Sequence, residues 1–477
     1  MQKNNIPSKK ELKLRCLLVV YDNGSFIPPF PQGLAYIAGT LIKNGYDVDI
    51  YNQDLHHSPD EHLTWFLDKN KYDVVGVNVI AGYYQYQKLK KISEAINNAR
   101  HRPIYILGGH GPSPDPKFFL KKMKADIVVI GEGEETILEL MNSIANNGDP
   151  DDIKGIAYRC PISDEVTINE RRPLIKNIDT IPWPAYKKFP IYFYRLQRYV
   201  HTQSTDFIMP VLSGRGCTFN CAFCYRMDKG FRPRNNSSIL AEIEYLHKQF
   251  RINVVDFSDE LLMSSKERTI DLCEALINSG LNIRWHCNGR LNYADEKVLT
   301  LMKRAGCIFI NYGIEALDNN VLRLMNKGLT TDIITKGVET TLKVGISPGL
   351  NIMWGNRGDD FKTLEEAVEF LLRYDDCAQL RTIRPVTPYP GCPLYYYAIE
   401  QGLIKNCEDF YENKHLNSDL VSINFTNLSI EKMHRALYAA NSVIIENYYN
   451  KHTSYMTKQA RDLYLNQNTK FRGYRQF

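Results

Sequence analysis

No stretch of the 477 residues is long and apolar enough to cross a membrane. None has the makeup of a secretory signal core either: the first apolar run, Cys16 to Tyr21, stops at Asp22. Charge of one sign is scarce. Lys and Arg number 59 against 54 Asp and Glu, a formal net charge of +5, too mild to argue for a nucleic-acid or membrane partner. Internal repeats and low-complexity segments are missing, which leaves an ordinary globular composition. The 11 cysteines are an odd number in a long chain without a secretory signal, so they read as reduced thiols in a cytoplasmic setting.

What is present centres on residues 217–224. Cys217, Cys221 and Cys224 stand at CxxxCxxC spacing, after an apolar strand-like run at 208–212 and a Ser-Gly-Arg-Gly turn at 213–216. Thiolates are the usual ligands of a [4Fe–4S] cluster, and three of them leave one iron open to a chelating small molecule. Zinc is the competing reading, but it takes four ligands, usually in paired CxxC-type spacing. No second CxxC exists, so Cys287 or His286 would have to act as a distant fourth ligand. Cys16, Cys160, Cys273, Cys307, Cys377, Cys392 and Cys407 are scattered singly and read as core or surface thiols.

The length suggests about three domains. Residues 1–13 are polar and basic, a loose arm. Apolar strand patterns at 17–21, 47–51, 73–80, 104–107 and 125–130 then alternate with helical patterns at 33–45, 85–100 and 134–145. That alternation predicts a parallel sheet covered on both faces, over 14–150. Such sheets bind ligands at the strands' carboxyl ends. Four glycine-bearing loops fall there: 22–24, 78–82, 108–111 and 131–134. Residues 151–205 read as a connector, with a small hairpin at 155–168 and a proline-rich piece at 181–186. Its aromatics, Tyr186, Phe189, Tyr192, Phe193, Tyr194 and Tyr199, read as packing between domains. From 206 to 395 the alternation resumes, with strands beginning near Ile208, Val254, Ile283, Phe309, Leu350 and Gln379. Glu242 and Glu244, on a helical stretch at 237–249, read as surface charges. Residues 396–477 form a mainly helical region, with a helix at 428–447 opening at Ser429 and a basic aromatic tail at 471–477 that either covers the barrel mouth or hangs free.

The cysteine loop, with aromatic Phe223 before its last cysteine, resembles the radical SAM superfamily. Residues 28–34, Gly108-Gly109-His110 and Gly131–Glu135 resemble the cobalamin-binding domain that precedes many of its barrels, as in class B radical SAM methyltransferases. The resemblance covers roughly 14–395. It implies an α/β chain: a doubly wound, Rossmann-like cobalamin-binding sheet, then a partial (β/α)6 radical SAM barrel. It implies three cofactors: a [4Fe–4S] cluster on Cys217, Cys221 and Cys224, S-adenosylmethionine (SAM) at the open iron, and cobalamin. Toward SAM it implies Phe223, Ser258, Asp259 and Glu260 near the amino group, Arg290 at a carboxylate, Glu315 at the ribose, and the turn at Gly355. Asp359 or Asp360 stands where the family usually has glutamate. Toward cobalamin it implies Asn78, Gly108, Gly109, His110, Gly131, Glu132, Gly133 and Glu134. The DxHxxG motif that supplies a cobalt-ligating histidine is missing after the first strand. Asp54-Leu55-His56 follows the second strand and lacks the glycine, so it reads as a chance match, and cobalt without a protein histidine is implied.

The activity implied is methylation of an unactivated carbon of a small metabolite or natural-product intermediate, through a 5′-deoxyadenosyl radical and methylcobalamin. An electron donor such as flavodoxin or ferredoxin goes with it. The alternatives are a radical SAM enzyme that cyclises, rearranges, dehydrates or epimerises instead, with or without cobalamin, and a non-catalytic cobalamin or metal sensor. No acid or base is nominated; Tyr312 and Tyr389 are within reach if they point into the barrel.

Overall fold

The computed structural model describes residues 14–22, 24, 29–160, 162–227, 229–417 and 419–470. The arm at 1–13 and the tail at 471–477 lie outside the described residues. The chain divides into two compact units, Met1–Tyr194 and Arg195–Phe477.

In the first unit, short Val/Ile/Leu runs become five parallel strands: β1 (Arg15–Val20), β2 (Asp47–Asn52), β3 (Val74–Asn78), β4 (Ile104–Gly108) and β5 (Ile127–Val129), in the order β2-β1-β3-β4-β5. The central β1 is buried from Cys16 to Val20, as a strand flanked on both edges and covered on both faces must be. Between the strands run α1 (Gln32–Lys43), α2 (Gln53–His56), α3 (Glu61–Asn70), α4 (Tyr83–Asn97), α5 (Pro116–Met123) and α6 (Glu134–Ala145). Helix α1 packs with α6, while α4 packs with α3 and α5. The strand order reverses between β1 and β3, which sends the helices to opposite faces. The hairpin β6 (Ile156–Arg159) and β7 (Val166–Ile168) extends the sheet antiparallel beyond β5. Three of the connector aromatics pack on one ring of this unit, and Tyr199 meets His286 in the second unit. Phe30 lies 5.5, 5.3 and 5.3 Å from the rings of Tyr186, Phe189 and Tyr194, the last closing the short helix α7 (Ile191–Tyr194).

The second unit is built on β8 (Ile208–Val211), followed by a two-residue pair, β9 (Gly214–Arg215) and β10 (Arg232–Pro233), then β11 (Val254–Phe257), β12 (Arg284–Gly289), β13 (Cys307–Glu315), β14 (Ser347–Trp354) and β15 (Arg384–Pro385). Six of these form one parallel sheet, β15-β14-β13-β12-β11-β8, an open half-barrel. Its helices are α8 (Asn236–Phe250), α9 (Lys266–Ser279), α10 (Glu296–Arg304), α11 (Asn319–Leu324), α12 (Thr331–Val344) and α13 (Phe361–Tyr374). Tyr312 is turned outward: its hydroxyl meets Thr341 Oγ1 of α12 at 3.1 Å, which removes it as an interior acid or base. The strand expected near Gln379 is reduced to Arg384–Pro385. The residues before it are held by Arg381, which bonds Asp375 and the Pro348 carbonyl and so leaves little backbone to pair.

Glu242 is a second correction. It is fully buried and paired with Arg234, because the neighbouring arginine must bury its charge against a partner. Glu244 does lie at the surface, paired with Lys248. The C-terminal region contains α14 (Pro393–Glu400), α15 (Cys407–Asp409), the pair β16 (His415–Asn417) and β17 (Leu420–Val421), and the long α16 (Ile430–Tyr464). The Ser429 side chain caps α16, which runs well beyond 447. Asn441 of α16 bonds both the N–H and the carbonyl of Ile383, sealing the edge beside β15. Among the described residues no helix is long and apolar enough to cross a membrane.

Candidate cofactor site at the strand ends

The turn after β8 launches the cysteine loop, and Asp259 grips that turn. Its carboxylate accepts from Ser213 N at 2.6 Å, Gly214 N at 3.2 Å and the Ser213 hydroxyl. Asp259 is 1% exposed and pushed up to about 6 by burial, so its oxygens serve the turn, and its task differs from a free acceptor for an amino group. Further along, Ala222 N donates to the Met325 carbonyl and Leu394 N to the Ala222 carbonyl, each at 2.8 Å. Asn326 donates to the Asn220 carbonyl at 2.8 Å. The loop carrying Cys217, Cys221 and Cys224 is thus pinned from three sides. Desolvation raises Cys217 and Cys224, and the Glu260 carboxylate raises both further, so Glu260 lies within the field of the loop. Free, these thiols keep their protons; a coordinating metal would strip them. No His, Cys, Asp or Glu trio among the described residues is close enough to grip a single ion. A cubane presents a different iron to each thiolate and asks for a wider set. Three thiols on one pinned loop, with Arg290 reaching Cys221 Sγ, are donors of the kind a cluster takes.

The next strand ends supply charged groups. Arg290 follows β12 and is 6% exposed, its Nη1 3.7 Å from Cys221 Sγ. Glu315 closes β13 at φ 71° and accepts from Lys327 Nζ at 3.0 Å, a buried pair. Lys327 in turn lies 5.6 Å over the Phe223 ring, linking the loop to β13. After β14, Asp359 folds back on its own turn, accepting from Gly355 N at 3.1 Å and Asn356 N at 2.8 Å. Asp360 caps α13 in a capping box with Thr363. Neither aspartate is spare. Ser258 N donates to the Val211 carbonyl at 3.2 Å, while Glu260 is exposed. The structure thus gathers Phe223, Glu260, Arg290, Glu315 and Lys327 around the loop and assigns Asp259 and Asp359 to holding turns.

The inner face of the half-barrel is polar where closed barrels stack branched apolar layers. Asn311 donates to Asn288 at 3.1 Å, Asn351 donates to Asn311 at 2.7 Å, and Asn288 donates to the Asp259 carbonyl at 2.8 Å. Asn351 also donates to the Tyr312 carbonyl at 3.1 Å, so backbone carbonyls at both ends set the sense of all three amides. Lower on the same face stand Asp256, pushed up to about 6 by burial and then by Asp259, and His286, its ring tilted against Tyr199 and edge-on to Phe309. Burial lowers His286 to about 4, which keeps it neutral. Sequence reasoning missed these residues. The available signal was an asparagine inside each of three consecutive strands, where asparagine is depleted. Tyr389, the other candidate acid, meets Phe410 and His415 edge to face in the C-terminal region.

In the first unit, Asn78 ends β3, Gly108 ends β4, and the 131–134 loop follows β5, so these residues share one sheet edge. Gly109 has φ +97°, and a Cβ there would meet Asn78 Oδ1 at 2.4 Å. Gly131 has φ +84°, with nothing within 4 Å of where a Cβ would stand. Gly109 is thus packed against Asn78 and Val79 with no room for a side chain, while Gly131 leaves open space at the edge, where a flat ligand can approach the backbone. His110 is exposed on it, and Glu134 is buried in the first turn of α6. Glu132 is turned aside, accepting from Ile175 N at 2.8 Å. Asp54 is 0% exposed, with neither oxygen hydrogen-bonded among the described residues, His56 is exposed, and His57 pairs with Asp22 at 2.6 Å.

Comparison with known proteins adds to this geometry. Residues 211–371 match the Radical SAM superfamily and residues 28–141 match the B12 binding domain. An uncharacterized methyltransferase from Pyrococcus horikoshii is 28% identical over 450 residues, covering 91% of this chain and 93% of that protein. The anaerobic magnesium-protoporphyrin IX monomethyl ester cyclase of Rubrivivax gelatinosus is 26% identical over 380 residues, covering 76% of this chain and 65% of the cyclase. Among solved structures, the radical S-adenosylmethionine methyltransferase TsrM from Kitasatospora setae superposes with a TM-score of 0.70 at 17% identity, covering 90% of this chain and 89% of TsrM; at that identity the likeness is one of fold.

Proposed function

We infer that this chain, which belongs to the radical SAM enzymes that carry a B12-binding domain ahead of the radical domain, is a cobalamin-dependent methyltransferase acting on a carbon of a small molecule. The thiol loop carries the reading: three cysteines, pinned at the head of a parallel half-barrel, in a sequence with no second CxxC. When bound, the cluster, SAM and cobalamin supply the electron, the 5′-deoxyadenosyl radical and the methyl group. Cys217, Cys221 and Cys224 would hold the cluster. Glu260, Glu315 and the backbone at Gly355 would face SAM. The sheet edge at Asn78, Gly108, Gly109 and Gly131 would face the corrin. The polar interior at Asp256, Asn288, Asn311 and Asn351 suits a polar substrate, and His286, kept neutral by burial, could take up a proton there only in acid. A low-potential electron donor completes the system.

The test is protein produced without oxygen and with B12 supplied, assayed for iron, for cobalt and for SAM products. About four irons with near-stoichiometric cobalt, and S-adenosylhomocysteine beside 5′-deoxyadenosine, is the expected result. Iron without cobalt would remove the methyl-transfer claim and leave SAM-only radical chemistry. Replacing all three loop cysteines by serine is expected to abolish both iron loading and 5′-deoxyadenosine formation; a variant that still cleaves SAM would refute the assignment.

A further inference from the structure

Arg290 carries the clearest unexplained geometry in the molecule. Its guanidinium lies 3.4 Å above the Phe219 ring, inside the cysteine loop, and donates from Nη1 to Cys221 Sγ at 3.7 Å. Nε donates to Asn292 Oδ1 at 3.0 Å, and Asn292 Nδ2 donates to the Gly328 carbonyl at 2.9 Å, which locks the aim of the fork. A guanidinium clamps a carboxylate along one of two edges, Nε with Nη2 or Nη1 with Nη2. On Arg290 each edge already has one nitrogen engaged. Nη2 is buried, with no acceptor among the described residues, and rests 3.4 Å from where a Cβ on Gly328 would stand. A bidentate grip on a carboxylate would have to share a nitrogen that is already engaged, while the sulfur is in contact.

We propose that Arg290 sets the reduction potential of the cluster, donating a hydrogen bond from a fixed cation to the Cys221 sulfur. This rests on the cluster reading above. One-electron reduction, by a low-potential donor protein or by dithionite, adds one negative charge to the cluster. A nearby cation and a hydrogen bond to a ligating sulfur favour that reduced form over the oxidised one, which raises the potential. Stacking on Phe219 holds the cation in place without occupying its donors.

The test is an EPR-monitored redox titration of the full-length reconstituted protein without SAM, comparing wild type with R290Q and R290K. In R290Q the ratio of reduced to oxidised cluster at the wild-type midpoint should fall about tenfold, a shift of about 59 mV to more negative potential for one electron. R290K, which keeps the charge but loses the fork, should fall between. An R290Q midpoint equal to that of wild type overturns the proposal. So does an unchanged midpoint combined with loss of the SAM-induced change in the EPR spectrum, since that pattern would make Arg290 a SAM contact. Should R290Q load too little iron, N292A removes the acceptor that aims the guanidinium. A smaller shift of the same sign then supports the proposal, and no shift overturns it. Wild-type protein that takes up no cluster would overturn the radical reading itself and this proposal with it.

Discussion

Single side chains in this chain show the cost of burial. Asp54 has both carboxylate oxygens buried without a donor among the described residues, and burial, then the Asp22 charge, pushes it up to about 7. Its folded-state value lies above its unfolded one, so the folded chain binds the extra proton between roughly pH 4 and 7. Stability therefore falls as pH rises through that window. Asp54→Asn should remove this dependence and stabilise the protein at pH 8 by roughly 2–4 kcal/mol, read from denaturant midpoints at pH 5 and pH 8. A variant that unfolds with the wild-type pH profile would contradict this. The Asp54-Leu55-His56 triplet shows what a motif match omits. A regular expression reads the letters, whereas the fold buries the first residue and leaves the third exposed.

At the scale of elements, the strands and helices were the legible part. Continuous apolar runs between amphipathic stretches located β1 to β5 and most of the half-barrel, because burial on two faces leaves no room for polar side chains. Harder to read were polar residues whose partners are distant in sequence. Glu242 sits on α8 and looks like a surface charge until Arg234 folds against it, with Arg234 Nη1 also 2.9 Å from the Leu212 carbonyl at the start of the cysteine turn. Glu242→Gln should cost about 3 kcal/mol or more, since it leaves a buried arginine uncompensated, and it should lower iron loading. Chemical denaturation and metal analysis of the same preparation check both. Asp259 and Asp359 teach the same lesson. Their positions in the motifs were readable, but their hydrogen bonds to Ser213 and Gly355 depend on turns that no periodicity describes.

At the scale of the whole molecule, two units each close their own apolar core. Calorimetry should then resolve two transitions, with cobalamin at a hundredfold excess over its Kd raising one of them by about 2.7 kcal/mol and leaving the other in place. A single transition shifted as a whole would show the units to be one cooperative block. The asparagine ladder, which spans three of the six strands of the half-barrel, has a further consequence. Each amide gives an N–H to its neighbour on the Asp259 side, and Asn351 donates to the Tyr312 carbonyl as well, so the three side chains are turned in one common sense. The row then behaves as a single unit: losing any one of the three amides would leave its neighbours with no fixed sense.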